Sequence, residues 1–338
     1  MNLAQHYQVW QFILAAAHYA AATAIVGLTN GGKGWEVPVI VRFNVWTSSD
    51  GRCSGDTGCT INEYERMLSE PLNTGILVAS FSYISGSHHA LSAIGGSQYV
   101  QHLIDAKGVS VTRWVDYAFS ASLMLMMDSV LWLAPPTVQM LVLVFCVMFL
   151  VIVSGYGSEV AWSMEQYGHA WLIYVAALAP FVCVWIVTWS VFAEGLNPKD
   201  GAYGIKTAEG IDPGEGSNPP DFVIVILAWL FFTYSSFPIA HAWRLATQTP
   251  ATTEKDVILA ESVYSFLSFF AKIPLLAVYG TAVAARTNRI TVGTPPPKDV
   301  GPMSDDGTFV ALGTSIAASF VLGILMTIDL RRAFKESK

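Results

Sequence analysis

Charged residues are scarce in this sequence. Only 13% of its 338 residues are Asp, Glu, Lys or Arg, whereas 53% are hydrophobic and the mean hydropathy is +0.47. Soluble domains carry about 25% charged residues, so this composition excludes an ordinary soluble globular protein. The net charge of −7 also argues against nucleic acid as a partner.

Several other signals are absent. No lysine or arginine precedes Lys33, so the amino terminus lacks the basic region of a signal peptide and the first apolar segment is interpreted as a retained helix. We find no phosphate-binding loop, zinc-ligand spacing or nucleophile motif, and expect neither a metal site nor enzymatic activity. Cysteine is rare: Cys146 and Cys183 fall in apolar segments, while Cys53 and Cys59 fall in a polar loop as candidates for a small disulfide.

What the sequence does contain is long hydrophobic runs. A segment of about 20 apolar residues can cross a bilayer as a helix. Eight such segments occur, at residues 9–29, 73–95, 112–134, 137–156, 169–193, 221–246, 258–285 and 308–330. They predict an all-α, multi-pass integral membrane protein of the cell membrane, surrounded by lipid.

The loops between these segments differ in length. Eight crossings place the long, polar loops on one face and the short loops on the other, with both termini; we call the latter the short-loop face. The long loops are 30–72, 194–220 and 286–307, and the short ones are 100–111, 157–168 and 247–257. The basic tail falls on the short-loop face, so the positive-inside rule predicts a cytoplasmic amino terminus. In the first long loop, WEVPVIVRFNVW at 35–46 alternates and predicts a short hairpin.

One lysine lies in the middle of a hydrophobic run. Lys272 is roughly 20 Å along its helix from Leu259 and about equally far from Arg286, too far to reach either membrane surface. An unpaired charge at this depth costs between about 3 and more than 10 kcal/mol. Lys272 is therefore a neutral or structurally paired lysine, or it forms a Schiff base with a carbonyl compound.

The third hydrophobic segment offers an anion for this lysine. Asp116 lies three residues after Arg113 on one helix face, and is either the counterion or a structural partner of Arg113. Asp128 lies about 18 Å further along the axis, where it is an interfacial acid or part of a proton path. Ser268 stands one turn before Lys272 and can hydrogen-bond the lysine nitrogen.

Aromatic and sulfur-bearing side chains accompany these charges. Each alone is explained by packing or by an interfacial belt, but together with Lys272 and Asp116 they would fit a slender conjugated polyene. They are Met124, Met126 and Met127 on the third segment, Trp185 and Trp189 on the fifth, and Trp229, Phe231, Phe232, Tyr234 and Phe237 on the sixth.

Three motifs resemble those of microbial rhodopsins. RWVDY at 113–117 is similar to the Arg-aromatic-x-Asp-aromatic motif of the proton pumps, but Ser268 stands where a pump has aspartate. RWVDYAFSASLM, ESVYSFLSFFAK and LFFTYSSFPIAHAW are more similar to the corresponding heliorhodopsin stretches, and His18 and His89 match histidines of that family. The resemblance covers about residues 9–285.

The resemblance implies a seven-helix rhodopsin-like bundle over 1–285. Beyond it we expect a polar linker at 286–307, and an eighth transmembrane helix with a basic tail at 308–338. It also implies all-trans retinal on Lys272, with Asp116 as counterion where the family usually has glutamate. The expected cofactor-binding residues are Lys272, Asp116, Ser268, Tyr117, Ser120, Met124, Trp185, Trp229 and Phe237.

The resemblance further implies a polar network that receives or senses a proton, a cytoplasmic amino terminus and a homodimer joined through the first long loop. The resemblance implies His18, Ser85 and His89 for this network, and we add Arg113 and the extra acids Asp128 and Glu194 from the sequence itself. We expect a light-sensing photoreceptor with an unidentified signalling partner. The alternative is a light-gated proton channel or weak proton transporter that uses Asp128 and Glu194.

Overall fold

The computed structural model describes residues 2–28, 36–37, 40–47, 60–67, 72–132, 137–196, 221–247, 250, 253–287, 321, 324–325 and 328–329. Within them the chain forms seven α-helices and four short strands. The helices are α1 Leu3–Leu28, α2 Thr74–Asp105, α3 Val111–Trp132, α4 Val138–Ser163, α5 Tyr167–Leu196, α6 Asp221–Thr247 and α7 Glu254–Thr287. The strands are β1 Glu36–Val37, β2 Ile40–Thr47, β3 Thr60–Met67 and β4 Leu72–Asn73.

Five of these helices, α1, α4, α5, α6 and α7, are long and apolar enough to cross a membrane. The other two, α2 and α3, have 32 and 22 residues and are long enough, but they contain more polar side chains. Several of those polar residues, among them His88, His89, Asp116 and Asp128, are buried between helices.

The helices pack as neighbours along the chain and close into a bundle. α1 packs against α2 and α7, α3 against α2 and α4, α5 against α4, and α6 against α7. This confirms the predicted helical-bundle fold. In the expected eighth crossing the structure describes only residues 321, 324–325 and 328–329, all of them helical, so that crossing stays a prediction.

A kink in α2 has a local cause at Gly96. This residue has φ 49°, a left-handed conformation that glycine adopts without steric cost. The distortion lets the carbonyl oxygen of Ala93 accept a hydrogen bond from Gln8 Nε2 at 2.8 Å. A Cβ at Gly96 would meet the Gln8 amide at 3.0 Å, so α1 and α2 approach closely here.

The described part of the first long loop is paired strand. β2 pairs antiparallel with β3, from Ile40 opposite Met67 to Thr47 opposite Thr60. β1 pairs with β4, which leads directly into α2. The candidate disulfide residues Cys53 and Cys59 lie outside the described residues.

One described residue of the carboxyl-terminal segment touches the bundle. Asp329 accepts hydrogen bonds from Nδ1 of His6 at 2.9 Å and from Nε1 of Trp10 at 3.0 Å. His6 and Trp10 lie in the first turns of α1. Asp329 therefore lies at the end of the bundle at which α1 begins.

Candidate functional site

Lys272 is buried at the meeting point of three helices. Its Nζ donates hydrogen bonds to Oγ of Ser85 in α2 and, at 2.9 Å, to Oγ of Ser268 one turn earlier in α7. Oδ1 of Asp116 in α3 lies 3.4 Å away. Ser85 Oγ also donates to this same carboxylate oxygen at 2.7 Å, so one hydroxyl bridges the lysine and the acid.

Local sequence explains why these groups meet. Ser268 and Lys272 share a helix face because four residues are about one turn. Lys272 is 3% exposed and Asp116 is 2% exposed, so each charge needs the other. Arg113 donates to glutamates on α4 and α7 and not to Asp116. The alternative prediction, an ion pair between Arg113 and Asp116, therefore does not form.

An apolar cavity begins at Lys272 and runs between α3, α4, α5, α6 and α7. Its empty space, counted out to its open side, is about 830 Å³. Lys272 is the only Lys, Arg, Asp or Glu among the described residues that line it. Its wall also contains Trp114, Ala121, Met148, Val151, Ile152, Gly155, Tyr174, Ala177, Leu178, Phe181, Tyr234, Pro238, His241, Tyr264 and Ala271.

The predicted cofactor-binding residues divide into two groups. Tyr117, Ser120, Met124 and Phe237 line the cavity, with Tyr117 and Phe237 in edge-to-face contact at 5.2 Å. The two predicted tryptophans are not part of the wall. Trp185 packs behind Tyr234 at 5.7 Å, and Trp229 packs on Phe270 at 4.5 Å. Hydropathy places a residue on a helix but does not fix the rotation of that helix about its axis.

The predicted histidines lie together on the α1–α2 side of Lys272. The rings of His18 and His89 are stacked with centroids 5.4 Å apart. His89 Nδ1 donates to Gln11 Oε1 at 2.6 Å, and His18 Nδ1 lies 3.1 Å from Ser82 Oγ. The neighbouring His88 is also buried, 5.2 Å from His89, so three histidines form this group.

A second set of buried charges, which sequence reasoning missed, surrounds Arg113. Arg113 donates to Glu261 in α7 and to both carboxylate oxygens of Glu159 in α4 at 2.7 Å. Arg244 in α6 also donates to Glu159, and to the carbonyl of Gly108 at 3.0 Å. We call Arg113, Arg244, Glu159 and Glu261 the charge cluster. In the sequence its newly found members lie near helix ends, where charged residues are ordinary, so no signal revealed their partners.

The remaining predicted acids lie elsewhere. Asp128 is fully buried in the last turns of α3 and interacts electrostatically with Tyr234 of the cavity wall. Glu194 belongs to α5, but its side chain is outside the described part of the structure.

Comparison with known families agrees with this geometry. A sequence model of the heliorhodopsins matches residues 7–281. The chain belongs to the heliorhodopsin family. A search of curated proteins gives no significant match. Family membership and the apolar helices make the chain a multi-pass integral membrane protein and a retinal-binding rhodopsin, and the family is not a classical enzyme family.

The residues present fit retinal. A long polyene needs an apolar slot, and its aldehyde needs an amine at one end of that slot. The cavity supplies the slot, and Lys272 is the one described lysine in its wall. A carboxylate and two hydroxyls surround the lysine nitrogen, as a buried cation requires.

Proposed function

We propose that this heliorhodopsin is a light sensor in which retinal, in its all-trans form, is joined to Lys272 as a protonated Schiff base with Asp116 as counterion. The observation that carries the proposal is the Lys272–Asp116 pair at the wall of an apolar cavity. Among the described residues, Asp116 is the one carboxylate within 4 Å of Nζ.

Each residue around the cavity has a definable task. When bound, retinal would supply a light-driven isomerisation of its polyene. Tyr117 and Phe237 confine the space next to Nζ, and Asp116 balances the positive charge there. A proton leaving Nζ has Asp116 in direct reach, or can pass through the Ser85 hydroxyl, which contacts both groups.

A sensor is favoured over a one-way pump by the state of the nearby acids. A pump needs a carboxylate that is free to return a proton to the lysine nitrogen. On the side where α3 and α7 begin, Glu159 and Glu261 accept hydrogen bonds from Arg113. These glutamates are held by arginines and are not available as donors.

We also propose a cytoplasmic amino terminus. The Asp329 contact with α1 supports it, because Asp329 lies beside the first turns of α1 and the basic residues follow it in the sequence. The homodimer and the signalling partner stay predictions.

The test of the retinal link is colour. Retinal added to the purified protein in lipid should produce a visible absorption band. Lys272→Ala should abolish the band, whereas Lys107→Ala, which changes an exposed lysine, should keep it. A colourless parent protein, or a coloured Lys272→Ala, would overturn the proposal.

The second candidate is light-gated proton conduction. The buried Asp128 favours it, because this acid lies about one helical turn after Met124 of the cavity wall on α3 and so places a second carboxylate on that helix, further along it than Asp116. Illuminated, voltage-clamped cells separate the candidates: a sensor gives no photocurrent at any voltage. A current that follows the proton gradient would establish conduction. Its loss in Asp128→Asn or Glu194→Gln, but not in the exposed control Asp105→Asn, would locate the path.

A further inference from the structure

His241 is a buried histidine of α6 that stands apart from the His18–His89 group. It lines the cavity and meets Trp114 edge to face, with ring centroids 5.7 Å apart. Its Nδ1 lies 3.1 Å from the hydroxyl of Tyr264 in α7, and its Nε2 lies 3.2 Å from Oγ of Ser158 in α4. One side chain thus joins α6 to two other helices at the cavity wall.

The direction of these hydrogen bonds follows from the backbone. Ser158 donates its single hydroxyl proton to the carbonyl of Ala170 at 2.8 Å. Towards His241 the serine oxygen can therefore only accept, which places a proton on Nε2 of the histidine. In the neutral ring Nδ1 is then an acceptor, and Tyr264 donates to it. The bonds form one ordered chain from α7 through α6 and α4 to α5.

Tyr264 connects this chain to the charge cluster. Its ring covers the guanidinium of Arg113 at 4.3 Å, a distance at which a cation and an aromatic face attract. Its carbonyl accepts a hydrogen bond at 2.8 Å from Tyr117, which lines the cavity beside Lys272. His241 and Arg113 therefore hold the same tyrosine, one through its hydroxyl and the other through its ring.

The position of His241 in α6 couples it to movements of the cavity wall. Pro238, three residues earlier, lines the cavity and removes one backbone hydrogen bond from α6, because proline has no N–H to donate. After this weak point, His241 and Arg244 tie the end of α6 to α4. A displacement of the cavity wall at Phe237 or Pro238 reaches His241 within one turn.

We propose that His241 is a positioning residue of the photoreaction, which couples movement of the cavity wall at α6 to the charge cluster through Tyr264. This inference rests on the proposed light-sensing function. In the dark state His241 holds Tyr264 and Ser158. Light-driven displacement of α6 breaks one or both bonds, and the change passes to Arg113 through the tyrosine ring.

The first test needs no retinal. Nitrogen-15 NMR of the histidine-labelled protein in lipid, with His241→Gln used to assign the signal, should show a proton on Nε2 and a hydrogen-bonded, unprotonated Nδ1. Tyr264→Phe should shift the Nδ1 signal, whereas Tyr83→Phe, which removes a tyrosine hydroxyl bonded to Thr23, should not. A proton on Nδ1 alone, or a signal indifferent to Tyr264→Phe, overturns the arrangement.

The second test measures recovery of the dark pigment after a flash. His241→Phe keeps a ring but loses both bonds, and Tyr264→Phe loses one. Because bonds of the dark state are missing, Tyr264→Phe should slow recovery about two- to tenfold, the effect of one hydrogen bond, and His241→Phe should slow it at least as much. The double variant should be no slower than the slower single variant. His241→Gln, which keeps a donor and an acceptor, should recover within about twofold of the parent.

The outcomes separate the two proposals. If the parent protein stays colourless with retinal, the proposed function fails. If it is coloured and recovers after a flash, but His241→Phe and Tyr264→Phe recover at the parent rate, the role of His241 alone is overturned. Infrared light-minus-dark spectra of the histidine-labelled parent protein give a test that does not depend on the folding of a variant. These spectra should contain a histidine band, which His241→Gln assigns by removing it. A parent spectrum without this band contradicts the coupling of His241 to the photoreaction.

Discussion

The two buried charge centres of the described structure differ in how tightly they are held. At Lys272 the nitrogen is 3.4 Å from Asp116, a serine hydroxyl bridges the two, and a cavity begins beside them. In the charge cluster, two arginines and two glutamates from α3, α4, α6 and α7 are in direct contact. The Lys272 centre contains one ion pair and borders the cavity, whereas the charge cluster links four helices through direct ion pairs.

The chemistry of the cations explains this difference. An arginine cannot lose its proton in a protein, whereas a lysine nitrogen, free or as a Schiff base, can. A permanently charged group such as arginine is stable in a cluster of direct ion pairs. A group that has to lose its proton needs a site with fewer direct partners and a proton acceptor nearby. We therefore expect the cluster to contribute to stability and, under the proposed function, the Lys272 centre to determine the colour.

The largest effect on stability is expected at Glu159. Glu159→Gln leaves the buried Arg113 and Arg244 without one of their two carboxylates, so the free energy of unfolding should fall by about 3–5 kcal/mol. Chemical unfolding in detergent micelles measures it. The double variant Glu159→Gln with Arg244→Gln should lose less than the single one, because Arg113 and Glu261 still balance each other. A loss below about 1 kcal/mol in the single variant would contradict the comparison.

A matched control for this result lies at the surface. Lys107 and Glu165 form an ion pair at 3.5 Å with side chains 48% and 65% exposed. Exposed pairs contribute about 0–1 kcal/mol. Lys107→Gln should therefore leave the unfolding curve close to that of the parent.

Replacement of Asp116 should change the absorption spectrum more than the free energy of unfolding. Asp116→Asn removes the counterion, and the Schiff base can release its proton, which relieves the unpaired charge. The absorption band should shift strongly to the blue, with a smaller loss of stability than in Glu159→Gln. Absorption spectra of the retinal-loaded protein measure this, and an unchanged spectrum would exclude Asp116 as counterion.

Ser85 should give the smallest effect of the three. Ser85→Ala removes the bridging hydroxyl but leaves Lys272 and Asp116 in place, so the band should shift less than in Asp116→Asn, and stability should fall by about 0.5–1.5 kcal/mol. Ser87, also in α2, is exposed and bonds the carbonyl of Tyr83, so Ser87→Ala should not change the spectrum. A shift in Ser87→Ala as large as in Ser85→Ala would mean that the bridge has no special role.

Much of the helical frame could be predicted from hydropathy, because lipid requires long apolar segments. The predicted segment 258–285 lies within α7, Glu254–Thr287. The prediction 73–95 ended ten residues short of the end of α2 at Asp105, because polar residues after the Gly96 kink interrupt the apolar run.

The site could be predicted only in part. Lys272 and Ser268 share a helix face by spacing alone, and a buried lysine calls for an acid such as Asp116. The contacts of Glu159, Glu261, Arg244 and His241 are between helices distant in sequence, so no local pattern contains them. The placement of Trp185 and Trp229 behind the cavity wall depends on helix rotation, which hydropathy does not specify.

The proposed covalent link between retinal and Lys272 is tested most directly by mass spectrometry. Retinal-loaded protein is reduced with borohydride under light, which converts a Schiff base to a stable amine, and then digested and analysed by mass spectrometry. We expect one added retinyl group, on the peptide that carries Lys272. Retinal recovered entirely unbound, or attached to a different lysine, would contradict it.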